Sequence, residues 1–248
     1  MRGFFTCFLL SAVAAFPADP PKGTQPAATP NMASIALMLQ LLEGHKPFSA
    51  KAEMFLFKGR ELVLQSEMPF GFYQGMARME LDVAKIKSAK LTPKGVAGMK
   101  QLGLDKSISW ILPKTKSMRM AYPGLRGWYE LPMPKNDAAL LGANFKKTSR
   151  KEGEEKVYGY PCVREIVTLA PEDGKPVHIR VWRANILAGF PVKFELPEGD
   201  GIVRIQFANL RLVPPPLSDF TPPVGYQRHK SLRSLLDVAR ARLEPKKK

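Results

Sequence analysis

Four runs of the chain decide its fold: GEEKVYGYPCVREIV (residues 153–167), IRVWRANILAGFPVKFEL (179–196), IVRIQFANLRL (202–212) and DFTPPVGY (219–226). Apolar and polar residues alternate along the first three, which sends successive side chains to opposite faces of an extended chain. Glycine, proline and asparagine punctuate them, as turns between strands require. In the third run the apolar phase goes Val203, Ile205, Phe207 and then shifts to Leu210 and Leu212. One extra residue in a strand does this, so a bulge is predicted near Ala208 or Asn209. Bulges bend sheets, and a bent antiparallel sheet can wrap around a cavity.

Working upstream, the same period recurs. In residues 48–56 Phe48, Ala50, Ala52, Met54 and Leu56 share one face, and Ser49, Lys51 and Glu53 the other. Lys58, Gly59 and Arg60 turn the chain into residues 61–68, where Leu62, Leu64 and Met68 share a face. A third run sets Ala77, Met79 and Leu81 against Arg78, Glu80 and Asp82. Residues 106–122 read as a hairpin, with Ile108, Trp110 and Leu112 on one side, a turn at Pro113, and Met118, Met120 and Tyr122 returning. Strands of this kind form an antiparallel meander with one dry side. Ahead of them, Asn31 is placed to cap a helix whose Ile35, Met38, Leu39 and Leu42 repeat at helical spacing until Gly44. Pro132, Pro134 and the apolar cluster 138–141 predict a lid-like loop with one helical turn.

Together with the helix and the strand opening FSAKAEMFLF, the four runs resemble the DUF4412 group within the LolA-like superfamily of secreted, lipoprotein-carrier-like half-barrels. The resemblance implies a mainly β fold with flanking helices: a strongly curved antiparallel sheet, an N-terminal helix and a helical plug, over residues 31–226. It also implies non-catalytic binding of a lipid or acylated lipoprotein in the bacterial envelope, with acyl chains in an apolar concave cavity. The residues on the dry strand faces then line that cavity: Met54, Leu56, Leu64, Met68, Met79, Trp110, Met118 and Met120. Ten of the eleven methionines fall at or before Met120. Methionine is flexible and polarizable, so such a face adapts to irregular apolar guests, although ordinary core filling uses it equally well.

Composition sets the compartment and removes most chemistry. Arg2, the apolar stretch 4–10 and Ala12-Val13-Ala14 read as a secretory signal, residues 1–15, cleaved after Ala14 or Ala15, which predicts a periplasmic or otherwise secreted protein. Its apolar stretch is shorter than the roughly 18 residues of a membrane span. A proline-rich linker, residues 16–30, follows. Cys7 falls in the signal and lacks a lipid-attachment box, which leaves Cys162, on an alternating strand, as either a buried small hydrophobe or a thiol. The three histidines stand in no metal-ligand spacing, and no nucleophile elbow, Walker loop or dinucleotide fingerprint occurs, so no catalytic residue, metal or cofactor is expected. Glu152, Glu154 and Glu155 among basic neighbours read as a solvated turn. The run Lys146, Lys147, Arg150, Lys151 lacks stacking aromatics, which argues against nucleic acid and for a lysine-protected edge strand.

The formal net charge is +16, and residues 227–248 hold eight basic residues against Asp237 and Glu244. Leu232, Leu235, Leu236, Ala239 and Leu243 form one stripe there, which predicts a basic amphipathic helical tail. Such a tail either folds back on the domain or meets an anionic membrane surface through Arg233, Arg240, Lys246, Lys247 and Lys248. The alternative to a lipid carrier is therefore an envelope protein with a filled core that uses this tail to sit on anionic surfaces.

Overall fold

A computed structural model describes residues 33–172 and 175–241. The predicted signal, the whole predicted linker, the expected cap at Asn31, and Leu243, Lys246, Lys247 and Lys248 lie outside the described residues.

Twelve strands form one open, curved sheet built from two meanders. The first runs β1 (Phe48–Lys58), β2 (Glu61–Tyr73), β3 (Met76–Asp82), β4 (Lys106–Leu112), β5 (Ser117–Tyr122) and β6 (Gly127–Pro132). The second runs β7 (Phe145–Val157), β8 (Tyr160–Pro171), β9 (Val177–Ala184), β10 (Phe190–Glu198) and β11 (Gly201–Arg211). Within each meander every strand after the first pairs antiparallel with its predecessor, and the two meanders join where β1 meets β11, antiparallel. A short β12 (Gln227–His229) returns parallel to β6 and ends the sheet opposite β7. This is the mainly β, curved antiparallel half-barrel expected from the sequence.

Turn chemistry explains why neighbours in sequence become neighbours in space. Gln74 and Gly75 both take positive φ, as do Tyr158 and Gly159, giving the two-residue turns whose twist matches the flanking strands. A glycine at the second position carries the larger φ, 81° and 83°, without a side chain to strain. The β1–β11 register slips between Ser49/Arg211 and Lys51/Ala208, and Asn209 has φ 52°. That is the bulge read from the phase change after Phe207.

Among the described residues four α-helices accompany the sheet: α1 (Ala33–Leu42), α2 (Pro93–Gln101), α3 (Lys135–Gly142) and α4 (Leu232–Ala241). α2 falls in a stretch where the sequence predicted no element. Thr92 caps it by accepting from the Gly95 amide at 3.1 Å, and Pro93 fits its first turn. Glu152, Glu154 and Glu155 lie within β7, not in a turn, and β7 is the lysine-bearing edge strand that was expected. The predicted tail is not a free arm: β12 belongs to the sheet, and α4 buries Leu235 and Ala239 against Met99, Leu125 and Tyr129.

Candidate functional site

The sheet has two faces, and cross-strand register sorts the predicted lining residues between them. Leu56 opposes Leu64, Ala52 opposes Met68, Phe70 opposes Met79, Ile111 opposes Met118 and Met120 opposes Tyr129. Met54, Leu56, Leu64, Met68, Met79, Met118 and Met120 thus share the inner face. Trp110 does not. Ile111 is the β4 residue that pairs with Met118, so Trp110, one position away, pairs with Arg119 and points outward. There it is fully buried beneath Phe220, and its indole donates to the Asp219 carbonyl at 2.7 Å. Alternation shows that a strand has a dry side without saying which side of the sheet it is. Here β4 is dry outward, because the segment after β11 covers it.

The inner face is covered by helices, not by a second sheet. α1 lies against β10 and α3, and each side chain of residues 34–42 is buried. Its Ile35, Met38 and Leu42 join Met68, Met118, Phe194 and Phe207 in the main apolar cluster. α2 and α4 cover the β5–β6 end, where Met120 sits in a second cluster and accepts from the Tyr129 hydroxyl at 3.4 Å through Sδ. Met118 and Met120 are neighbours on one strand yet lie under different helices. Met54 and Met79 are half-buried at the margin of the main cluster. Over the described residues, then, the space expected to be hollow is occupied by the protein's own helices.

Polar contacts hold this cover at both ends of α1. The Ser34 hydroxyl donates to the buried Glu198 carboxylate and lies 3.3 Å from the Pro197 carbonyl. At the other end, the Gln40 amide donates to the Leu141 carbonyl at 3.1 Å, and Lys147 donates to the Gln40 carbonyl at 2.8 Å. Gly44, with φ 81° and open space around its Cα, follows the helix. Next to it His45 meets Phe190 edge-on at 5.4 Å. Burial, then the nearby Arg183 and Lys147, lowers the His45 pKa below the usual 6.5.

The outer face is polar over β7–β11. Glu195 bridges Arg180 at 2.8 Å and Arg204 at 2.7 Å, Arg180 reaches Glu152 at 2.8 Å, and Lys193 and the Trp182 indole both meet Glu155. Lys193 also stands 3.9 Å over the Trp182 ring. These groups line a 450 Å³ cleft in which cations and carboxylates alternate. Burial pushes the Glu195 carboxyl up, but Arg204 and Arg180 together outweigh it and hold the group below its ordinary value. A carboxylate so paired stays ionised and has no proton to exchange near neutral pH. Nothing here separates two carboxyl groups into an acid and a base. Burial pushes the Cys162 thiol up as well, and the thiol contacts the Tyr160 carbonyl at 3.2 Å, so it packs as a small hydrophobe. Among the described residues no group of three or more His, Cys, Asp or Glu is placed to hold a metal, and no helix is long and apolar enough to cross a membrane.

Arg233 and Arg240 lie on the exposed side of α4, opposite Leu235. The sequence reading missed the polar anchors of α1 and the segment that covers Trp110. The anchors were invisible because partners far apart in sequence make them.

Fold and inner face together define a class, that of curved open β-sheets whose concave side is closed by helices. No protein-family model matches the chain, and no curated protein does. Solved structures similar to it include a DUF1329 family protein from Desulfovibrio piger, 12% identical over 75% of this chain and 94% of that one, TM-score 0.32. Lipoprotein LppX from Mycobacterium tuberculosis is 10% identical over 73% and 96%, TM-score 0.37. A LolA superfamily protein from Nitrosomonas europaea is 6% identical over 76% and 97%, TM-score 0.33.

Proposed function

We propose that this is a non-catalytic binding protein of the bacterial envelope that takes the acyl part of a lipid or acylated lipoprotein against the inner face of its half-barrel. The observation that carries this reading is the nature of the cover. A sheet face rich in methionine is closed by α1 and α3, short helices that pack on it through apolar side chains, with the polar contacts of α1 gathered at Ser34 and Gln40. An acyl chain that enters between α1 and β10 exchanges one set of apolar contacts for another, so the displacement has a small net cost. A sealed, disulfide-locked or sheet-on-sheet core offers no such exchange. Met54 and Met79, half-buried at the margin, are the first sheet residues that a chain entering beside α1 meets.

The second reading is the filled envelope protein that meets anionic surfaces through its basic tail. The complete burial of residues 34–42 favours it. Titration with a fluorescent fatty acid separates the two. The carrier reading expects saturable uptake that competes with unlabelled fatty acid and weakens when Met54 and Met79 are both changed to Asp. No uptake, with a Ser34→Ala variant that loosens α1 also inert, would leave the filled core.

A further inference from the structure

Residues 212–226, between β11 and β12, cross the outer face of the first meander on a rigid, proline-rich path. Their underside is fixed. Pro215 and Phe220 are buried, Phe220 lies 5.8 Å from the Tyr73 ring, and the Asp219 carbonyl takes the Trp110 indole proton. Prolines at 214, 215, 216, 222 and 223 stiffen the rest. The upper side is apolar and bare: Val213 is 60% exposed, Leu217 60% and Val224 101%. With Leu232, these make four of the eight large hydrophobics left exposed among the described residues. A soluble protein gains nothing from holding such residues outward on a stiff segment unless something covers them.

Charge identifies what covers them. On the outer face of the second meander Arg180, Lys193 and Arg204 are each matched to a glutamate. Beneath the segment Lys51 and Arg78 are paired with glutamates as well, but the cations beside its bare residues are not. Arg126, Arg211 and Lys230 are exposed and form no ion pair among the described residues, and Asp219 is the lone acid between residues 211 and 230. Arg228 stacks 5.2 Å over Trp128 on the same side. Apolar tips ringed by unmatched cations suit the boundary of an anionic bilayer, where acyl carbons accept the tips and headgroup phosphates accept the cations.

We infer that the segment between β11 and β12 is a membrane-docking face: Val213, Leu217 and Val224 enter the interface of an anionic bilayer, and the flanking arginines and Lys230 hold its headgroups. It stands independently of what the inner face binds. The test is co-sedimentation of the full chain with vesicles of phosphatidylcholine, alone or with phosphatidylglycerol. Replacing the three apolar residues, Val213→Ser, Leu217→Ser and Val224→Ser, is expected to lower partitioning onto the mixed vesicles by roughly tenfold or more without moving the thermal melt. Arg211→Ser with Lys230→Ser is expected to weaken binding to the mixed vesicles only, with the difference lost in high salt. Partitioning unchanged by the apolar triple, or a wild-type chain that ignores phosphatidylglycerol, would overturn the inference. So would a solution dimer that the triple dissolves, since the patch would then belong to a second copy. Fatty-acid uptake should be the same in the triple as in the wild type, so failure here leaves the inner-face reading intact.

Discussion

Glu195 and His45 show how single residues tie this fold to pH. The Glu195 carboxylate is mostly enclosed between Arg180 and Arg204, whose own side chains are 40% and 35% exposed, so solvent screens part of the attraction. Glu195→Gln is expected to cost about 1–2 kcal/mol at neutral pH in urea unfolding. Because the native pKa is depressed, this contribution is present above the ordinary value of 4.5 and fades as pH falls through the lower native one. Wild type and variant should therefore converge in acid, and a gap that persists there would deny the ion pair its role. For His45 the native pKa is also lowered, so the folded state takes up its proton later than the unfolded chain. Stability is then lost as pH falls below 6.5, and His45→Gln should flatten that slope.

At the scale of the element, the strands were legible and the placement of their faces was not. Period-two alternation located β1, β2 and β3, and the bulge at Asn209 followed from a phase shift that local sequence contains in full. The hairpin of β4 and β5 was found too, yet Trp110 was assigned to the wrong side of the sheet. The phase of β4 relative to β5 depends on the three-residue turn Pro113–Thr115 and on Lys116 in the left-handed region. α2 escaped notice because Gly95 and Gly98 dilute its apolar stripe, and its Met99 earns burial only through distant Met120 and Leu125. The cover helix α1 was legible as a helix, but its latches were not, since Ser34 and Glu198 are separated by 164 positions. Ser34→Ala is expected to lower stability by about 1 kcal/mol and, on the carrier reading, to raise the rate of fatty-acid uptake. A slower or unchanged rate would show that α1 is not the gate.

Across the whole molecule, two meanders meet at β1 and β11 to make an open half-barrel, and helices from four different places in the chain close its concave side. The outer side divides by charge, balanced over β7–β11 and unmatched beside the stiff segment that precedes β12. The central claim concerns the inner side: that its helical cover yields to an acyl chain. Native mass spectrometry of the protein expressed in and purified from a bacterial host tests this. A bound species with the mass of a lipid or fatty acid is expected, diminished in the variant that carries Met54→Asp and Met79→Asp. Wild-type protein that is uniformly lipid-free, and stays so after incubation with periplasmic lipid, would contradict it.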